Sequence, residues 1–150
     1  MLLFPLWGTP AKVAANAWEF LPPAKLKQMT QRPCVFVHGW ATWCPQCIDE
    51  LPKLVLALGK LKTADSVVVD LSTPYMQDNF SKKWINALKP PFKMYLKTPG
   101  DDAGYVKFVD KNWSGALPWS AIFRNGVTKK SWLGQVNLDA LEKEIAAQCK

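Results

Sequence analysis

Trp40-Ala41-Thr42-Trp43-Cys44-Pro45-Gln46-Cys47 is the stretch on which the reading of this 150-residue chain turns. Leading into its start, Cys34-Val35-Phe36-Val37-His38-Gly39-Trp40 is a short, mostly apolar run of the kind that forms a buried strand. Pro45 then suits the first position of a helix, where its missing N–H would have no partner anyway. Ile48, Leu51, Val55 and Leu58 keep helical spacing, and Leu54 and Leu61 widen the apolar stripe. Pro52 inside that helix removes the hydrogen bond to the Ile48 carbonyl, which predicts a kink. Two cysteines separated by two residues on a first helical turn can join as a disulfide, or one can attack an intermediate held by the other. The helix N-terminus points unpaired N–H groups at the first sulfur and favours its thiolate. Cys44 is therefore the attacking thiol and Cys47 the resolving one.

Outward from this stretch the chain alternates strands and helices. Ser66 to Leu71 reads as a second buried strand, closed by Ser72-Thr73-Pro74. Phe80, Trp84 and Leu88 mark one face of a second helix that ends before Pro90-Pro91. Phe92 to Leu96 is expected as a short strand and Asp101 to Lys111 as a short helix. Trp119 to Phe123 reads as a strand, Asn125-Gly126 as a tight hairpin turn, and Val127 to Leu133 as its partner. Asn137 caps a last helix with Leu138, Leu141, Ile145 and Cys149 along one side. This order predicts an α/β domain with a partly parallel sheet.

Composition narrows the function. The apolar fraction of 49% with eight Trp and seven Phe excludes a mainly disordered chain. No run approaches the length of a membrane span. The net charge of +7 comes almost wholly from scattered lysines, without the basic stripe and interleaved aromatics of a nucleic-acid interface, so no nucleic-acid partner is expected. A zinc site built on Cys44 and Cys47 would need two more ligands from Cys34, Cys149 and His38, and no second Cys-x-x-Cys exists, so no metal or other cofactor is expected. Met1 to Trp7 and the Ala15-Asn16-Ala17 triplet look like parts of an export signal. However, no positive charge precedes the apolar run, and Pro5 and Gly8 interrupt it. A signal remnant and an extended arm both stay open for this segment.

The cysteine stretch, followed by Glu50-Leu51-Pro52, resembles the thioredoxin superfamily, and within it the exported TlpA/ResA-type thiol–disulfide oxidoreductases. Leu117-Pro118 and Ala121-Ile122-Phe123-Arg124-Asn125-Gly126 continue the resemblance, which spans about residues 33–149. It implies a thioredoxin fold, a mixed central sheet flanked by helices, with a cis-proline loop in which Leu117 and Pro118 face the cysteines. The division expected is an N-terminal arm or signal remnant over 1–32 and a thioredoxin-like domain over 33–150. Three positions depart from the family's pattern: His38 where an Asp or Asn is usual, Leu117 where a small polar or β-branched residue is usual, and the middle pair Pro45-Gln46.

On that resemblance, Trp43 and Trp40 flank the site, Trp43 packing beside the cysteines and shaping a rim for partners. Glu50 matches a glutamate that influences cysteine ionisation in some TlpA/ResA-type proteins; a solvated helix acid beside Asp49 is the other reading. His38 stands behind the cysteine pair, either as a neutral base taking the proton of Cys47 or as a core histidine bonded to backbone. Cys34 and Cys149 both fall at the pole opposite the site, where a structural disulfide can join them. Trp113, Trp119 and Trp132 read as core or rim. The function implied is exchange with protein thiols and disulfides, by a monomer, in a periplasmic or other extracytoplasmic compartment. A redox partner would recycle Cys44 and Cys47, and a membrane-associated protein is one candidate for it. The reductive direction, as in cytochrome c maturation, is favoured; a disulfide-forming oxidant and a non-catalytic assembly module remain the alternatives.

Overall fold

The computed structural model describes residues 16–100 and 104–150. The sheet begins ahead of the boundary expected at residue 33. Trp18–Leu21 forms strand β1 and Pro23–Thr30 helix α1, both within the 1–32 stretch expected from sequence as an arm or signal remnant. Pro23 takes the first position of α1, and Leu26 and Met29 turn inward while the lysines face water. Val35–Trp40 (β2) is buried at every position. Pro45–Gly59 (α2) stays helical through Pro52. Asp65–Asp70 (β3) follows, and then Pro74–Met76 (α3), a π turn over Gln77–Ser81, and Lys82–Leu88 (α4).

The single helix expected there is thus interrupted, and the side chains give the reason. Gln77 and Ser81 are both buried, and Gln77 donates to the Lys97 carbonyl at 3.0 Å. Asn79 meanwhile donates to the Tyr75 carbonyl at 2.8 Å, competing for an acceptor of the helix ladder. Met94–Lys97 (β4), Trp119–Arg124 (β5), Val127–Leu133 (β6) and Leu138–Gln148 (α5) complete the described elements. Residues 104–109 form consecutive turns rather than the helix expected over Asp101 to Lys111, whose positions 101–103 lie outside the described residues, as does the signal-like stretch up to Ala15.

The six strands pair in the order β1-β4-β3-β2-β5-β6. The first four run parallel, and β5 and β6 are antiparallel to their neighbours, so the sheet is mixed. Strand alternation splits β2 between two cores. Phe36 and Trp40 pack with α2, α4 and α5 through Leu51, Leu54, Ile85 and Ile145. Val35 and Val37 pack on the other face with Leu26, Met29, Tyr105 and Val106. The central strand therefore points straight at the cysteine stretch and is held from both sides. This rigid delivery is what fixes the site.

Candidate active site

Cys44 is the N-cap of α2, in extended conformation, and its Sγ accepts the Cys47 backbone N–H at 3.2 Å. The two cysteines are joined as a disulfide with Cα atoms 5.2 Å apart. Both are buried: Cys47 has no accessible surface and Cys44 keeps only 4%. An attacking thiolate at Cys44 would keep that N–H bond, which holds negative charge at the helix terminus.

The loop that presents the pair is pinned from below. Cys44 N–H donates to the Ala41 carbonyl at 3.2 Å. Thr42 N–H donates to the Ser72 hydroxyl at 2.9 Å, and the Ser72 hydroxyl in turn donates to the buried Asp70 carboxylate. Burial raises the Asp70 carboxyl above its ordinary range, while hydrogen bonds from Ser72 and Ser81 and the Lys97 charge pull it back. Trp43 stands 63% exposed beside the pair, whereas Trp40 is wholly buried and packs edge-on against Trp84. The two tryptophans that flank the motif in sequence thus divide their work, one facing solvent and the other the core.

The Leu117–Pro118 peptide bond is cis. Pro118 is buried, and Leu117 lies over Gly39, where a Cβ would stand 3.6 Å from its side chain. Trp119 then pairs with Gly39, so β5 leaves the proline beside the end of β2.

His38 sits on β2 directly opposite Ser120 of β5, with no accessible surface. Its Nδ1 lies 2.8 Å from the Ser120 hydroxyl and its Nε2 3.4 Å from Glu50 Oε1. Its ring therefore meets side chains rather than backbone. Glu50 is not a solvated acid: it is 96% buried, one turn beyond Cys47, and its Oε2 accepts the Val136 N–H. Burial pushes the imidazole down to about 3, so the ring is neutral. Burial raises the Glu50 carboxyl, Val136 opposes that, and the nearby Asp49 charge reinforces it. Two titratable groups with opposite shifts thus meet here, Glu50 on α2 one turn after Cys47 and His38 facing it from β2. Cys34 and Cys149, at the other end of β2, are joined with Cα atoms 5.7 Å apart.

No protein-family model and no curated protein sequence matches the chain. Solved structures do. A thioredoxin-related protein from Neisseria meningitidis serogroup B is 24% identical with a TM-score of 0.63, over 81% of this chain and 88% of that one. A thiol:disulfide interchange protein of the thioredoxin family from Chlorobium tepidum is 15% identical with a TM-score of 0.64, over 83% and 85%. The pneumococcal exposed lipoprotein thioredoxin from Streptococcus pneumoniae is 20% identical with a TM-score of 0.57, over 81% and 89%. The chain has the thioredoxin fold.

Within the thioredoxin fold the structure brings Cys44, Cys47, His38 and Glu50 to one face of β2 and α2, with Leu117 and Pro118 at the end of the same strand. Cys34 and Cys149 stand apart from them. Trp119 is core, and Trp113 and Trp132 are half-buried. Ser120, Val136, Asp70 and Ser72 are the site residues that sequence reasoning missed. Ser120 did carry a signal, because it is the single polar residue in the otherwise apolar run Trp119 to Phe123.

Proposed function

We propose that this chain is a thiol–disulfide oxidoreductase that exchanges disulfides with protein partners through Cys44 and Cys47. The observation that carries the reading is the closed Cys44–Cys47 pair at the N-terminus of α2, with Cys44 as the cap that accepts the Cys47 N–H. In the reduced protein, the Cys44 thiolate attacks a partner cystine. A Cys44–partner disulfide forms and one partner thiolate leaves. The Cys47 thiol then gives its proton to the buried His38–Glu50 pair and attacks Cys44 Sγ. That step closes the Cys44–Cys47 disulfide and releases the second partner thiolate, so the partner gains the two electrons that the pair loses. Leu117 and Pro118 line the partner's approach, and Trp43 is the exposed aromatic contact. A separate redox partner recycles the oxidised pair, and the chemistry calls for no cofactor or metal.

The direction we favour is reductive, in a periplasmic or other extracytoplasmic compartment, keeping client cysteines reduced as cytochrome c assembly requires. The second bridge, Cys34–Cys149, supports such a compartment, because structural disulfides away from an exchange site persist where the surroundings are oxidising. The name of the pneumococcal exposed lipoprotein thioredoxin points the same way. A reduction potential near about −270 mV fits a reductant, and one near about −120 mV would assign the disulfide-forming role instead.

The test of the exchange itself is Cys47→Ser. Without the resolving thiol, the mixed disulfide on Cys44 should accumulate with protein clients and vanish on adding a reductant. A variant that captures nothing, together with a wild-type protein that turns over no external disulfide, would reduce the pair to a structural staple.

A further inference from the structure

The proton acceptor behind Cys47 is itself held by a residue on another strand. His38 Nε2 and Glu50 Oε1 are both buried, neither makes a hydrogen bond within ordinary limits, and they face each other at 3.4 Å. The opposite ring nitrogen has one partner, the Ser120 hydroxyl at 2.8 Å. A hydroxyl can donate or accept, and a neutral imidazole carries one N–H and one bare nitrogen. Only two arrangements satisfy the set. With Glu50 ionised, Nε2–H donates to Glu50 and the Ser120 hydroxyl donates to Nδ1. With Glu50 protonated, its O–H donates to Nε2 and Nδ1–H donates to Ser120.

We infer that Ser120 is a positioning residue that lets His38 exchange one tautomer for the other as Glu50 gains or loses the proton exchanged with Cys47. The inference rests on the functional reading above only for the source of that proton. The hydrogen balance is one net proton: the ring holds one N–H in both states, and the proton lost by the Cys47 thiol ends on Glu50. Among the described residues, strand β5 brings Ser120 to this pair, and the segment before α5 brings the Val136 N–H to Glu50 Oε2. On α2, Cys47 lies one turn before Glu50, Asp49 stands beside it, and Lys53 lines the same shallow pocket as Asp49 and Glu50. The Val136 bond occupies one carboxyl oxygen and leaves Oε1 to share the proton with His38.

His38 is the chain's single histidine, so its ring nitrogens can be followed without ambiguity. The experiment records ¹⁵N shifts of labelled histidine in the oxidised protein from about pH 4 to about pH 9, bracketing ordinary carboxyl and imidazole values. The expected wild-type result is a ring that stays neutral while its proton moves from Nδ1 at low pH to Nε2 at high pH, with a midpoint above the ordinary carboxyl value. Glu50→Gln should freeze the ring in one tautomer. Ser120→Ala should move the midpoint down by about one pH unit, because a stranded Nδ1–H is costlier than a stranded lone pair. Ser120→Thr, which keeps the hydroxyl, should restore it.

A second readout follows the reduced protein carrying 2-nitro-5-thiobenzoate on Cys44, whose release reports attack by Cys47. Its pH profile should shift with Ser120→Ala in the same direction. A wild-type tautomer constant across the range, an imidazolium with an ordinary midpoint near about 6.5, or a Ser120→Ala midpoint equal to wild type would overturn the inference. So would a release profile that ignores the Ser120 substitution. Absence of release at every pH in the wild-type protein would instead count against the functional reading, leaving the ring measurement to decide on Ser120.

Discussion

At the scale of single residues, His38 ties the stability of the protein to pH. Its ordinary value of 6.5 is lowered to about 3 by burial. Between those values the unfolded chain binds a proton that the native chain refuses. Stability therefore rises with pH across that window and is lost as pH falls through it. Glu50 works in the opposite sense, since its raised folded value lets the native state hold a proton above 4.5 that the unfolded chain has released. Its share is lost as pH rises through the folded value. The acid side belongs to His38, with a slope approaching about 1.4 kcal/mol per pH unit inside its window. His38→Asn should flatten that decline, as measured by urea midpoints at about pH 6 and about pH 4. An unchanged decline would mean that the native ring charges freely. Legibility at this scale was uneven for a physical reason. The cysteine pair and His38 are readable because strand parity and helix position are local properties. The partners of His38 are not: Ser120 is 82 residues away and meets it only through the register of β2 with β5.

At the scale of elements, the hairpin between β5 and β6 is the sharpest local commitment. Asn125 and Gly126 both take positive φ, 50° and 83°, the conformation that a two-residue turn between twisted strands demands. The tip is also docked: Asn125 N–H donates to the Arg32 carbonyl and Gly126 N–H to the Thr30 carbonyl, both at 2.9 Å. A Cβ on Gly126 would fall 2.3 Å from the Gln31 side-chain oxygen. Gly126→Ala should therefore lower unfolding free energy by about 1–2 kcal/mol from the backbone alone, with displacement of Gln31 added. A thermal or urea midpoint equal to wild type would show that the turn relaxes freely. This hairpin was plain in the sequence because Asn-Gly is a local code. The elements β1 and α1 were not, since β1 is four residues at a sheet edge and α1 has only Leu26 and Met29 as inward apolar anchors beside its buried Thr30. Their order comes from tertiary pairing with β4 and packing on the second core, which no local pattern announces. The π turn of Gln77–Ser81 is hidden in the same way, because the Lys97 carbonyl that engages Gln77 lies twenty residues on.

At the scale of the whole molecule, the Cys34–Cys149 bridge ties the start of the central strand to the end of α5 across a separation of 115 residues. A loop of that size constrains the unfolded chain strongly, by up to about 5 kcal/mol in the chain-entropy account. Replacing both cysteines by alanine should cost a sizeable part of that in urea unfolding while leaving the Cys44–Cys47 pair able to close. A loss too small to measure would mean that strain in the folded state offsets the gain. The bridge also holds α5, whose N-terminal side carries Val136 to Glu50, so the two ends of that helix answer to different disulfides. Under mechanical load the consequence is blunt. A chain pulled between residue 16 and residue 150 passes its tension from Cys34 directly to Cys149, and only β1, α1 and the terminal residue can pay out. Peeling β1 from the sheet edge breaks its ladder to β4 and leaves the four remaining parallel and antiparallel pairings untouched. The oxidised chain should stop extending at about 70 Å, and the reduced chain should run on to about 470 Å at full stretch. Single-molecule stretching would read the difference as one short event that becomes a long one when the bridge is opened, and equal lengths in the two states would deny that the bridge carries the load.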